Sequence, residues 1–383
     1  MNINIFGSTG IIGQKTLSII KNYFPKIKIN LLCANSSLEL LSKQVKLYKP
    51  NYVYINNQSL ILRLKQKINN KTKILTYKEL LKFLKETNSD YTILAISGYK
   101  SLYFLDQIIL NTKNLGIVNK ESIVSAGHIF KKKNYFKKTK IFPLDSEHFS
   151  LFNYFSSGNS NKSIRKITLT ASGGPFFKSK YKNLEKISFQ KAIQHPKWKM
   201  GYKNSIDSAT LVNKCLEVIE AHYLFDIPYN KIDVLIHPQA IIHSIIEFNN
   251  YVSIMNSFKN DMQIPIINFL SQSKKTKEVN KNLFYNFYNQ FNFLKVDNSV
   301  FPIYKYFLNL DKSNPANLIK FNIGNEYAVN LFKKNLIKYT DIYKIIKKVG
   351  YLNLYYPLNT IKDIIIYHER IEKKLKDLSK NIF

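Results

Sequence analysis

The chain opens on an alternating stretch, residues 1–6, that runs straight into the turn Gly7-Ser8-Thr9-Gly10-Ile11-Ile12-Gly13 and then into a helical pattern reaching about Tyr23. A strand, a glycine turn and a helix in immediate succession start a βα unit. Strand-like apolar runs recur at 27–34, 52–55, 91–96, 115–118 and 141–144, with helical patterns near 38–48 and 79–87. Strands alternating with helices predict an α/β fold whose first part is a doubly wound parallel sheet of the Rossmann type, because parallel neighbours need crossover connections. Helix N-termini after such glycine turns take pyrophosphates, although the GxxGxxG spacing, one residue longer than the usual dinucleotide fingerprint, also suits simple strand–helix packing. The place where NAD readers carry an acid, at the end of the second strand, reads Cys33, Ala34, Asn35, Ser36 and Ser37. Lack of a carboxylate there favours NADPH over NADH.

Beyond Asp145 the texture changes. A strand over 164–170 enters the turn Ala-Ser-Gly-Gly-Pro-Phe, a Lys-rich loop carries His-Pro-Lys-Trp-Lys-Met-Gly, and a long helix is predicted over 208–225, with strands at 234–236, 240–248 and 252–255. The predicted division is a cofactor domain at 1–145, an α+β catalytic domain at 146–270, a linker at 271–300 and a C-terminal helical domain at 301–383, where helical patterns include 325–334 and 341–348.

Composition narrows the function classes. Of 383 residues, 45% are hydrophobic and 22% charged, which excludes a disordered chain. No apolar run approaches the roughly 18 residues of a membrane helix, so no membrane is expected as a partner. Two cysteines, Cys33 and Cys215, suit a reducing compartment and predict a cytoplasmic protein. The 58 Lys and Arg against 25 Asp and Glu give a net charge of +33. Only Arg63, Arg165 and Arg370 are arginines, and the lysines are dispersed. Base readers favour the bidentate arginine fork, so the charge reads as a solvated coat that draws in an anionic substrate, with no nucleic acid as partner.

Several clusters have chemical potential. Asp145 and Glu147 stand two apart at a strand end, where an extended chain would turn both carboxylates to one side. Hard oxygens suit Mg²⁺ or Mn²⁺, and Glu217, in a polar stripe with Asn213 and Glu220, could complete such a site; ordinary solvated or salt-bridged roles are the alternative. Carboxylates gathered without metal repel one another, which predicts that Glu217→Gln leaves the fold intact or slightly firmer. Ser172, Gly173 and Gly174, with Ser208, Asn213 and Lys214 at a helix start, suit a phosphate monoester or, more blandly, a cap and a turn. Trp198, the sole tryptophan, lies in a basic loop beside His195; a lone indole more often belongs to a core than to a lid, but such a loop is a poor place to bury it. His148, His237 and His243 read as structural histidines by default.

Taken in order, GSTGIIG, NKES at 119–122, DSEH at 145–148, SGGPF at 172–176, HPKWKMG at 195–201, DSATLVNKCLE at 207–217, HPQAIIHS at 237–244 and GNE at 324–326 form a set. The set resembles the 1-deoxy-D-xylulose 5-phosphate reductoisomerase family over nearly the whole chain. The resemblance implies a homodimer that rearranges a ketose phosphate to a branched aldehyde and reduces it with NADPH to 2-C-methyl-D-erythritol 4-phosphate, an isoprenoid precursor. It also implies that Asp145, Glu147 and Glu217 hold Mg²⁺ or Mn²⁺, with Co²⁺ an alternative. Lys120, Ser146 and Glu147 would contact the reacting end of the sugar. Ser172, His195, Ser208, Asn213 and Lys214 would hold its phosphate, with Glu217 beside them. Gly7, Thr9, Gly10, Ile11, Ile12, Ala34, Asn35, Ser36, Asn119, Glu121 and Gly201 would line the cofactor, and Trp198 would belong to a lid. Lys120, Glu147, His195 and Trp198 are the residues that the resemblance places in catalysis. Where the family usually shows Gly, a variable residue and Asn, this chain has Ala34, Asn35 and Ser36, which predicts a narrower preference for NADPH. A semialdehyde dehydrogenase would share the glycine turn but needs a reactive cysteine, and neither cysteine has a suitable context.

Overall fold

The computed structural model describes residues 1–68, 71–198, 200–271, 283 and 290–380. Its contacts divide into two units, Met1–Asn119 with Lys133–Phe149 and Asp261–Leu283, and Lys120–Lys132 with Ser150–Asn260 and Phe284–Phe383.

The first unit holds a parallel sheet of β1 (Asn2–Phe6), β2 (Lys28–Ala34), β3 (Tyr52–Ile55), β4 (Lys73–Leu75), β5 (Ser89–Leu94), β6 (Thr112–Ile117) and β7 (Lys140–Pro143). Their order is β4-β3-β2-β1-β5-β6-β7, so the winding reverses between β1 and β5. In doubly wound sheets ligands bind at the carboxyl ends of the strands beside such a reversal, which is where the Gly7 turn leaves β1. Ile3, Ile5, Phe6, Leu31, Leu32, Ile93 and Leu94 are fully buried, the signature of strands covered on both faces. The helix Gln263–Ser271 belongs to this unit, with Phe269 packed edge-on against Tyr91 and Phe142 at centroid distances of 5.4 and 5.5 Å. The predicted catalytic domain at 146–270 spans nearly all of it, because the composition does not change at residue 261. The strand β4 escaped the pattern reading because three residues carry almost no periodicity.

The second unit contains β8 (Ile164–Ala171), β9 (Ile232–Ile236), β10 (Ile242–Phe248), β11 (Ser253–Ser257) and β12 (Leu294–Lys295) in the order β11-β10-β8-β9-β12. Only β8 and β9 run parallel. The C-terminal helices Pro315–Lys333, Asp341–Gly350 and Ile361–Lys380 share this unit with the sheet and with the helix Lys120–Lys132; His368, for example, lies 3.2 Å from Ser125. The predicted linker at 271–300 falls mostly outside the described residues, and its described part includes β12. Among the described residues no helix is long and apolar enough to cross a membrane.

Candidate active site

Gly7 has φ +82°, and a Cβ there would sit 2.4 Å from the Ala95 carbonyl oxygen at the end of the neighbouring strand. Only glycine permits that turn. The chain then enters the helix Ile11–Tyr23 at Gly10, whose end is capped by no side chain, so the first-turn N–H groups of Ile11 and Ile12 face outward from the strand end. Ser8 is held from behind by Gln44, its hydroxyl donating to Oε1 at 2.8 Å. At the end of β2, Asn56 donates its backbone N–H to the carbonyl of Ala34 and its side-chain amide to Asn35. Asn35 and Ser36 are exposed, and the nearest acid along the chain, Glu39, is paired with Lys67 at 2.9 Å. On the other side of β1 the Asn119 amide binds the carbonyls of Ile96 and Gly98, fixing the loop after β5.

Asp145 and Glu147 do not lie on an extended segment. The strand β7 ends at Pro143, and Ser146–Ser156 is a helix that Asp145 caps by accepting the backbone N–H groups of Glu147 at 3.1 Å and His148 at 3.2 Å. Asp after a strand and before Ser-Glu-His is a strong N-cap signal, which outweighed extended geometry. The same Asp145 oxygen lies 2.9 Å from Nδ1 of the buried His148, and Ser146 donates to Glu147 at 2.6 Å. His148 therefore has a role in orienting Asp145 beyond filling the core.

The long helix predicted over 208–225 is two helices, Tyr202–Ala209 and Val212–Phe225, broken at Leu211. Leu211 adopts φ +62°, a left-handed conformation that costs an ordinary residue about 1–2 kcal/mol. Its side chain is buried, and that burial offsets the strain. The break puts Ser208 in the last turn of one helix and Asn213 and Lys214 in the first turn of the next. Within the second helix Glu217 is wholly buried. Its carboxylate accepts from Asn213 at 2.5 Å and pairs with Lys214 at 2.5 Å and Lys120 at 3.5 Å. Two ammonium groups thus compensate the one buried carboxylate.

His195, Ser172 and Ser208 meet. The ring Nε2 is 3.0 Å from the Ser172 hydroxyl and 3.1 Å from that of Ser208. Nδ1 accepts the backbone N–H groups of Lys197 and Trp198, so in the neutral ring the proton sits on Nε2, pointing at the two hydroxyls. Gly174 holds this geometry: at φ +64°, its Cβ would stand 2.8 Å from the Ser208 carbonyl oxygen. Trp198 is partly exposed in the loop, while Gly201, which precedes the helix Tyr202–Ala209, has open space where a Cβ would be. Glu121, assigned to the cofactor by resemblance, turns its carboxylate to Lys203 at 3.0 Å. Sequence reasoning missed Lys203, although its i,i+4 spacing to Asp207 is a legible pairing signal. Both cysteines are buried, and burial pushes their thiols well up, away from nucleophilic chemistry.

The chain matches three family models: 1-deoxy-D-xylulose 5-phosphate reductoisomerase over residues 3–127, the reductoisomerase C-terminal domain over 141–225, and the DXP reductoisomerase C-terminal domain over 259–374. The reductoisomerase of Sulfurihydrogenibium sp. is 37% identical over 99% of this chain and 98% of its own, and that of Pelagibacter ubique 39% identical over 91% and 90%. Among solved structures, the Zymomonas mobilis enzyme in complex with NADPH superposes with a TM-score of 0.85 at 29% identity, covering 98% of both chains. A DOX-P reductoisomerase in complex with NADPH, fosmidomycin and magnesium gives 0.88 at 27% identity, again over 98% of both. The chain belongs to the 1-deoxy-D-xylulose 5-phosphate reductoisomerase family.

Proposed function

We propose that this protein is an NADP-dependent oxidoreductase that converts 1-deoxy-D-xylulose 5-phosphate to 2-C-methyl-D-erythritol 4-phosphate with NADPH and a divalent metal, in the non-mevalonate route to isoprenoids. The hydrogen-bonded trio Ser172–His195–Ser208 carries the reading. Two hydroxyls and a ring N–H converge beside a glycine turn, with Asn213 and the Lys214 ammonium in the first turn of the helix Val212–Phe225, and such a donor set suits a phosphate monoester.

In this mechanism the phosphate end of the sugar binds to Ser172, His195, Ser208, Asn213 and Lys214, remote from the chemistry, and its binding energy drives closure of the segment bearing Trp198. Closure excludes water from the aldehyde. Lys120, Ser146 and Glu147 contact the reacting end, where the Lys120 ammonium offsets negative charge developing on the sugar oxygens. Gly7, Thr9, Gly10, Ile11, Ile12, Ala34, Asn35, Ser36, Asn119, Glu121 and Gly201 would hold the cofactor, with the helix N-terminus after Gly10 suited to a pyrophosphate and the acid-free loop at 34–36 suited to a 2′-phosphate. The hard carboxylate oxygens of Asp145, Glu147 and Glu217 suit Mg²⁺ or Mn²⁺, and the orientation of Asp145 by His148 is the kind of outer support that metal ligands carry. When bound, the metal supplies Lewis acidity to adjacent carbonyl and hydroxyl oxygens, and NADPH supplies the hydride.

The proposed assembly is a homodimer, supported by the edge strand β11 and its preceding turn, where Tyr251 is 97%, Val252 53% and Met255 53% exposed. Apolar edges of this kind need a cover. Two buried free cysteines agree with a cytoplasmic setting. Incubation of the purified chain with the sugar phosphate, NADPH and Mn²⁺, with the product identified by NMR, tests the activity; sedimentation of the parent against Met255→Lys tests the dimer.

A further inference from the structure

The second unit contains an ionic cluster of which the roles above use only Glu121. Lys203, its side chain only 14% exposed, places Nζ 3.0 Å from Glu121 and 2.5 Å from Asp207. Asp207, itself buried, also accepts from the side-chain amide of Asn325 at 2.8 Å, and Asn322 donates to Glu326 at 3.0 Å one turn along. One ammonium therefore joins the helices Lys120–Lys132 and Tyr202–Ala209, and Asp207 passes the tie to Pro315–Lys333. Burying such a cluster gains little stability over an apolar packing of the same shape, so stability alone is a weak reason for it. Its position is informative. Glu121 directly follows Lys120, whose ammonium faces Glu217, and Lys203 stands in the first turn of the helix entered from the His195–Trp198 stretch, with Asp207 adjoining Ser208.

We propose that Lys203 is a positioning residue: by holding Glu121 and Asp207 on one ammonium, it sets Lys120 and the His195–Trp198 stretch in register with each other. It touches neither the sugar nor the reacting atoms. The inference rests on the proposed reductoisomerase activity for its kinetic arm, and on the single tryptophan for an arm independent of it.

Lys203→Gln removes the tie but strands buried carboxylates, so a folding defect can accompany it. Asp207→Asn is the companion variant: it weakens the hold of Lys203 on Asp207, and with it the tie that Asp207 passes to Pro315–Lys333, while leaving the Lys203–Glu121 pair matched. Both are compared with Lys203→Arg, which keeps the charge. At saturating NADPH, which removes any change in cofactor affinity through Glu121, kcat per folded molecule is expected to fall about a hundredfold in Lys203→Gln and about tenfold in Asp207→Asn, as for a misplacement of about 1 Å, with partial recovery in Lys203→Arg. Without substrate, the Trp198 emission maximum should move and its anisotropy should drop in the first two variants. Parental kcat per folded molecule in Asp207→Asn would overturn the proposal, whatever happens to the melting temperature. Unchanged Trp198 emission and anisotropy in folded Lys203→Gln or Asp207→Asn would overturn it as well. Should the parent show no turnover, the proposed activity fails, and the Trp198 comparison still decides the role of Lys203.

Discussion

The Nζ of Lys214 lies 2.5 Å from Oε2 of Glu217, one turn further along the same helix, and both side chains are buried. This pairing changes what each residue is expected to do when the other is removed. Lys214→Ala leaves Glu217 with Lys120 and Asn213 as partners, so the fold should hold while the proposed charge-assisted phosphate contact is lost. The specificity constant for the sugar phosphate should drop by about 2–3 kcal/mol, mostly through KM. Steady-state kinetics on Lys214→Ala check it, and parental kinetics would make Lys214 a purely structural partner of Glu217.

Glu217→Gln reverses a sequence-based expectation. Three carboxylates considered alone repel, and neutralising one would firm up the fold. With the buried Lys214 and the half-buried Lys120 both facing Glu217, the substitution instead leaves two cations with less compensation. Its melting temperature without metal should therefore fall, while Mg²⁺ or Mn²⁺ affinity and turnover should each fall at least about a hundredfold. Calorimetric metal titration beside a thermal melt separates the two effects.

Gly174→Ala tests the backbone behind the Ser172–His195–Ser208 trio proposed to bind phosphate. A Cβ at φ +64° and 2.8 Å from the Ser208 carbonyl must push Ser208 away from His195, at a cost of more than about 1 kcal/mol in stability. A raised KM for the sugar phosphate with a smaller change in kcat is the expected pattern.

Burial, with the negative charge of Glu121 beside it, pushes Glu326 up to about 8. An acid whose folded value is raised stabilises the fold fully below its ordinary value of 4.5, and that contribution is lost as the pH rises through about 8. Glu326→Gln mimics the protonated acid, so its melting temperature should decline less than the parent's between pH 6 and pH 9, a window spanning the shifted value. Parallel declines would show that Glu326 ionises without cost.

The sequence made much of this architecture legible because its signals were local and redundant. The Gly7 turn sits between β1 and its helix, where both periodicities are strong, and the apolar runs read at 27–34, 91–96 and 115–118 contain few polar residues. Signals failed where a local cap or a long-range contact decided the outcome. Asp145 prefers to cap the Ser146 helix, which two-residue spacing does not reveal. The break at Leu211 needs a left-handed leucine that no propensity predicts, and it is sustained by burial of that side chain. Lys203 was passed over because, among so many dispersed lysines, its i,i+4 spacing to Asp207 is a common pattern, and the contact with the distant Glu121 has no local signal.

The most direct test of the account is turnover with 1-deoxy-D-xylulose 5-phosphate. NADPH absorbance should fall in step with formation of 2-C-methyl-D-erythritol 4-phosphate, stop when the metal is chelated, return with Mg²⁺ or Mn²⁺, and proceed with a lower specificity constant when NADH replaces NADPH. The absence of NADPH oxidation above the substrate-free rate, with folded protein and metal present, would contradict it.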